Sequence, residues 1–194
     1  MLLDCKDEST QERYRYRLKH AIAFFDFPIE ISEFTIQNDL LITIVKFKNR
    51  NGWIYLTNGL SELDQPNSFA DTRIELMCYT KKDNNNVKEL LLKVAEYPFQ
   101  TQEDLWVWDT IPAPLEELGM PSQYQGIILT PPPFGPDEFE FFKIDDQLCR
   151  ILAIQGITET EMNYAINNGG QKIGERVMHF KAPWLDKQRR PIIF

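Results

Sequence analysis

The stretch 126–157, GIILTPPPFGPDEFEFFKIDDQLCRILAIQGI, leaves the chain few choices of fold. Ile127, Ile128 and Leu129 form one short apolar run and residues 149–157 another; runs of this kind, bounded by Pro, Gly and Asp, suit strands buried on both faces. Between them Pro131, Pro132, Pro133 and Pro136 fix φ and remove amide donors, so this backbone joins no central ladder. Phe134, Phe139, Phe141 and Phe142 then need cover from other elements. Asp145-Asp146, flanked by Ile144 and Leu148, reads as a turn between two strands. Thr158 with Glu161 forms a capping box, so a helix over 159–167 starts directly from the last strand; Asn168, Gly169 and Gly170 break it before a further helix over 171–180.

Upstream, the period of the apolar residues places the other elements. Ser9 with Glu12 forms another capping box, and Tyr14, Leu18, Ala21, Ile22 and Phe25 follow at helical spacing until Pro28. From Ile29 the period changes to two. Asn51-Gly52 predicts a type I′ turn, which needs positive φ at both central positions, joining residues 39–48 to a return strand over 53–57. A strand over 72–80 has Ile74, Leu76 and Cys78 on one face and Arg73, Glu75, Met77 and Tyr79 on the other. Asn86 with Glu89 caps a helix over 87–97 that Pro98 stops, with Leu90, Leu91, Val94 and Ala95 as its buried side. LWVWDTIP reads as a strand with Trp106 and Trp108 sharing a face, and 115–125 as loop. No repeat or low-complexity linker divides the chain. The expectation is a single α/β domain over 1–194, of the α+β type, with a mixed, mainly antiparallel central sheet flanked by helices.

Charge and cysteine usage narrow the function. A net charge of −8 disfavours non-specific binding to nucleic acid or anionic lipid and favours a basic partner. Cys5, Cys78 and Cys149 are odd in number and lack a CxxC pair, which fits reduced thiols in a cytosol rather than a disulfide framework or zinc site. MLLDCKDEST turns acidic and polar at once, unlike a secretory signal, and no apolar run approaches the roughly 20 residues that span a bilayer. The expectation is therefore a cytoplasmic protein that binds neither membrane nor nucleic acid.

Catalytic signatures are missing. His20 and His179 sit outside any metal or triad spacing, and GxGxxG, GxxxxGK[ST] and GxSxG do not occur, so no cofactor and no metal is expected. Asp104, Asp109, Asp137 and Glu138 keep a carboxylate-based hydrolase open, provided two of them converge in one deep pocket. Trp53, Tyr55, Trp106, Trp108 and Trp184 lie beside polar loops, where large side chains with few rotors serve as interface anchors.

Four segments carry a family resemblance. WIYLTNGLSEL (53–63) looks like an aromatic-x-Tyr strand followed by a Gly-Leu-Ser-acidic-Leu turn, and RIELMCY (73–79) like the Glu-Leu strand of the same family. YPFQ (97–100) leads to LTPPPFGPDEFEFF and ILAIQGITETEM, and PWL with DKQRRPIIF closes the chain. In this order and spacing they resemble the Suppressor of fused domain family, most strongly over 53–194, the single-domain bacterial type in particular. The resemblance implies a non-enzymatic role. In animals the two-domain member restrains Gli transcription factors in Hedgehog signalling by gripping a short peptide between its domains, and bacterial single-domain members are regarded as immunity proteins that neutralise polymorphic toxins. This chain ends where the second animal domain would begin, and its loop DQPNSFAD is shorter, leaving the family's acidic peptide contact unmatched; Tyr55 alone carries over as a candidate contact.

These readings together predict stoichiometric binding of a protein, a toxin or a peptide segment of basic character, by a monomer or homodimer. The mechanism is occlusion by an acidic, aromatic-bearing face, with Tyr55, Glu62, Asp64 and Trp106 as contacts. The alternatives are a regulatory module that adds a peptide as a strand to a sheet edge, and the carboxylate hydrolase.

Overall fold

A computed structural model describes residues 8–36, 40–66, 73–113, 115–134, 136–179 and 185–192. The elements run α1 (Glu8–Phe25), β1 (Glu30–Ile36), β2 (Leu40–Asn49), β3 (Gly52–Asn58), β4 (Arg73–Thr80), α2 (Asn86–Thr101), β5 (Thr110–Pro112), β6 (Tyr124–Thr130), α3 (Asp137–Glu140), β7 (Phe141–Ile144), β8 (Gln147–Thr158), α4 (Glu159–Asn168) and α5 (Gly170–His179). Short 3₁₀ turns sit at Leu60–Glu62 and Leu115–Leu118.

The strands form one eight-stranded sheet in the order β1-β2-β3-β4-β8-β6-β5, with β7 also pairing β8. Only the central β4–β8 pair is parallel; the other pairs are antiparallel. Central strands carry apolar side chains on both faces because both faces are covered. Ile74, Leu76 and Cys78 of β4 pack with α2 and the 115–118 turn, while Met77 and Tyr79 join Ala21 and Phe25 of α1 and Phe139 of α3. Farther along that second face, Ile128 and Ile157 pack with Met162, Ile173 and Val177 of α4 and α5. The expected mixed, mainly antiparallel sheet flanked by helices is what the chain forms.

The Pro-rich stretch does what its composition requires. Residues 131–134 carry no strand or helix, β7 follows, and Asp145 and Asp146 have φ of 48° and 65° in the two-residue turn between Ile144 and Gln147. Phe139 is fully buried against Phe24, Phe25 and His20, whereas Phe141 stays 41% exposed. The Thr158–Glu161 capping box is present in both directions, and Gly169 at φ 89° ends α4.

Several local expectations need correction. The first hairpin reverses at Arg50-Asn51, since Asn49 pairs with Gly52, and no residue there has positive φ; Asn49 Oδ1 accepts the Asn51 N–H at 2.8 Å and turns the chain one residue early. The positive-φ turn lies instead at Asp145-Asp146. Ser9 is inside α1 rather than capping it, bonded to Arg13. Asn86 does not cap α2; Asn85 holds the N-cap position without a side-chain bond, while Asn86 Nδ2 donates to Leu118 O at 3.0 Å. Pro98 does not stop α2 either. Its ring is buried, the helix runs to Thr101, and Gln102 in the left-handed region closes it by donating to Pro98 O at 2.9 Å.

The Trp-rich segment is a turn over residues 105–109, and only its end, Thr110–Pro112, is strand β5. Asp109 Oδ2 accepts the Trp106 N–H at 2.5 Å and Trp108 takes φ 77°, so the two indoles do not share a strand face. Trp108 is wedged on α5 instead, where a Cβ at Gly174 would sit 2.1 Å from its ring. Asp39, Thr72, Phe180 and Trp184 lie outside the described residues.

Candidate partner-binding surface

The surface is built by the chain's exit from α1. Helix α1 ends at Phe25, Asp26 takes φ 63°, and Pro28 removes a donor, so the chain reverses and Ile29 donates to Lys46 O at 2.8 Å. Among the described residues strand β1 pairs only with β2, forming an edge of the sheet. Period two puts alternate residues on opposite faces. Ile31 pairs with Val45, which packs on the α1 side. On that face Ile31 is 46% exposed, with exposed Glu33 next in line, and in the segment leading into β1 Phe27 and Ile29 are 80% and 58% exposed. Three large exposed apolar side chains on an edge strand and the segment leading into it are what native sheets avoid unless something covers them.

The other face of β1 is tied down by charge. Lys46 donates to Glu30 Oε2 at 3.1 Å and Asp83 Oδ2 at 2.7 Å, and Lys88 of α2 also pairs with Glu30. Bonds from Lys88 and Ser32 outweigh burial and pull the Glu30 carboxyl down to about 2. With Glu30 and Ser32 bonded and Phe34 and Ile36 packed on the α2-side core, the face that bears Ile31 is the one open to a partner.

Tyr55 belongs to this hub rather than to the surface. It is 0% exposed, and its hydroxyl donates to Asp83 Oδ1 at 2.7 Å and accepts the Asn84 N–H at 2.8 Å. Burial in the α2-side core, the first cause of its raised pKa, removes it as a direct contact: no side-chain area faces outward. Tyr55→Phe should cost about 1–2 kcal/mol in urea unfolding, because Asp83 and the Asn84 N–H each lose a partner.

The other three expected contacts do not form one patch with it. Glu62 accepts from Arg13 Nε at 2.9 Å and pairs with Arg17, both on α1. Asp64, 90% exposed, pairs with Arg73 at 2.5 Å. Trp106 is half-buried under the Arg150 guanidinium, 5.3 Å from the ring centroid. Since Arg150 alternates with Cys149 and Ile151 along β8, Trp106 lies across the sheet from the Glu62 cluster. Sequence spacing missed the β1 stripe because alternating apolar residues on a strand normally mean a covered face. The signal available was Phe27-Pro28-Ile29 directly after a helix end.

Of the hydrolase carboxylates, Asp104 and Asp109 do line one cavity of about 390 Å³ with Glu103 and Tyr97, while Asp137 and Glu138 belong to α3 beside α1 and β7. Burial, reinforced by Asp104 and Glu103 and opposed by the Trp106 N–H, raises Asp109 to about 6. A carboxyl raised on folding adds stability below its unfolded value, lost as pH climbs through about 6. Asp109→Asn should therefore gain about 1 kcal/mol over the parent at pH 8, after discounting for solvent screening, and nothing at pH 4, read from thermal melts. His20 is a core histidine: its ring stacks on Phe139 and Phe142, Nε2 lies 3.2 Å from Phe139 O, and burial lowers its pKa. Among the described residues no group of three His, Cys, Asp or Glu could hold a metal ion, and no helix is long and apolar enough to cross a membrane.

A family model described as Suppressor of fused protein (SUFU) matches residues 37–190. Among solved structures, a SUFU homologue from Neisseria gonorrhoeae superposes with a TM-score of 0.70 at 15% identity, over 94% of this chain and 98% of its own. A chain from a Sufu-Fu complex superposes with a TM-score of 0.67 at 16% identity, over 93% and 92%. Drosophila Suppressor of Fused superposes with a TM-score of 0.59 at 16% identity, over 78% of this chain but 42% of its own length. No curated relative matches the chain in sequence. At such identities the structural likeness is one of fold.

Proposed function

The chain belongs to the Suppressor of fused protein family, and from that premise we propose that it is a non-enzymatic protein-binding domain, an immunity protein that neutralises a toxin by covering it in a stoichiometric complex. One solved relative is a Sufu-Fu complex, an assembly with another protein. The observation that carries the reading is exposed Ile31 on edge strand β1, with exposed Phe27 and Ile29 in the segment that leads into it. A partner segment adding as a strand there would take main-chain bonds from β1 and bury these side chains. Glu33 beside it, and the net charge of −8, favour a basic partner and speed its approach. Capture of a regulatory peptide would use the same edge and differ in leaving no toxic activity to silence.

Ile31→Lys tests the proposal. The side chain is exposed, so stability should stay within about 0.5 kcal/mol of the parent, while affinity for the protein that co-purifies from the native cell should fall at least about thirtyfold, as for an interface anchor. Unchanged affinity in a folded Ile31→Lys variant would remove β1 from the interface.

A further inference from the structure

At the other end of α1 the guanidinium groups of Arg13, Arg17 and Arg73 line a cavity of about 210 Å³ together with Ser61, Glu62, Asp145, Gln147 and Cys149. Most of their N–H groups are used. Arg17 Nε donates to Asn58 Oδ1 at 2.6 Å and Nη1 to Ser61 Oγ at 3.2 Å and to Glu62. Arg13 serves Glu62, Ser9 and Thr10, and Arg73 Nη2 serves Asp64. Among the described residues two nitrogens are left: Arg17 Nη2, on a residue only 4% exposed, and Arg73 Nη1, both atoms buried and without an acceptor. Buried cationic donors of this kind call for an acceptor. The carboxylates in reach are Glu62, Glu75, Asp64 and Asp145; each already pairs with Arg13, Arg17 or Arg73 through another nitrogen, and none accepts from these two.

We propose that this cavity is a binding site for a small free oxyanion of the phosphate class, held by Arg17 Nη2 and Arg73 Nη1. The cavity is small and polar, which suits an inorganic anion rather than a nucleotide. Arg13 lines its wall, and its link to exposed Asp145, at 3.5 Å, is the longest of its bonds. Movement of Arg13 off Asp145 would open the two donors to the anion. Because Glu62, Glu75, Asp64 and Asp145 oppose the arginines, the binding is weak.

Titration of inorganic phosphate at constant ionic strength, followed through the side-chain Nε–H signals of Arg17 and Arg73, should give one saturable site. Arg73→Gln should weaken it at least about fivefold, and Asp145→Asn, which keeps a residue suited to the positive φ of that turn, should tighten it about threefold. Lys172→Gln on exposed α5 makes the same charge change as Arg73→Gln and should leave it unchanged. Phosphoserine offered alone should bind more weakly than phosphate. No saturable response in the parent, an equal response in folded Arg73→Gln, or binding of phosphoserine without phosphate would overturn the proposal.

Discussion

Glu75→Ala is expected to lower the stability of the chain by about 3–5 kcal/mol in urea unfolding, because it strips the acceptor from a set of buried donors and a buried cation. Glu75 is 2% exposed. Its Oε1 accepts Gly59 N–H at 3.0 Å, Ser61 N–H at 3.1 Å and Ser61 Oγ at 2.7 Å, and Oε2 accepts Thr57 Oγ1 at 2.6 Å and Leu60 N–H at 3.3 Å. Arg17 Nε lies 3.6 Å away. The turn at Leu60–Glu62 therefore hangs on one carboxylate of β4. Gly59 is required there, since it takes φ 120° and a Cβ would come within 3.0 Å of Leu41 O and of the Tyr14 ring. Glu75→Gln should cost less, about 1–2 kcal/mol, because one amide oxygen can still serve Gly59 and Ser61 while the Thr57 hydroxyl reorients. If Glu75→Ala unfolds with an unchanged midpoint, the carboxylate is not what holds the turn.

Arg189→Ala should be nearly as damaging, about 3 kcal/mol, and should release the C-terminal segment first. Glu161 is 0% exposed and accepts Thr158 N–H at 2.9 Å, Arg189 Nη1 at 2.6 Å, Arg189 Nη2 at 2.7 Å and Ile192 N–H at 2.8 Å. Burial alone would raise this carboxyl, but the Arg189 and N–H bonds outweigh it and hold it below the usual glutamate range. A carboxyl lowered on folding contributes stability above its unfolded value and loses it as pH falls through the folded one. The parent should therefore lose stability on acidification below the ordinary glutamate value of 4.5, and Arg189→Ala should show a blunted acid limb. Hydrogen exchange at the Ile192 amide reads the local release directly.

These two carboxylates show where sequence reading succeeds and where it stops. The alternation over 73–80 assigned both faces of β4 correctly, and the Thr158–Glu161 capping box appears as expected, because both patterns are local and each depends on residues a few positions apart. The hydrogen-bond donors to Glu75 are 14–18 residues away and the C-terminal donors to Glu161 28–31, so the sequence shows four motifs in order without showing that they bind in pairs. Gly-Leu-Ser is held by the Glu of RIELMCY, and the Glu of TETEM by the first Arg of RRP.

The same limit explains the failures. Asn51-Gly52 has the right composition for a type I′ turn, yet Asn49 captures the Asn51 amide and moves the reversal upstream. LWVWDTIP has strand composition, yet Asp109 folds back on Trp106 and makes its first half a turn, leaving only TIP in the sheet as β5. Tyr55 looked like an exposed aromatic because polar loops flank its strand, but Asp83, from the loop before α2, covers its hydroxyl. The β1 stripe was hidden for the opposite reason: its pattern fits a covered strand, and only the sheet order shows that nothing in the described residues lies beside it.

The central claim, that the edge of β1 is where a partner docks, is tested most directly by placing a photo-crosslinking side chain at Ile31 and, as a control, at exposed Glu117, in the native cell. The account predicts one dominant protein adduct of fixed stoichiometry from position 31, none from position 117, and a toxic activity in that partner that the intact chain silences. No adduct from position 31, or equal adducts from both positions, would contradict it.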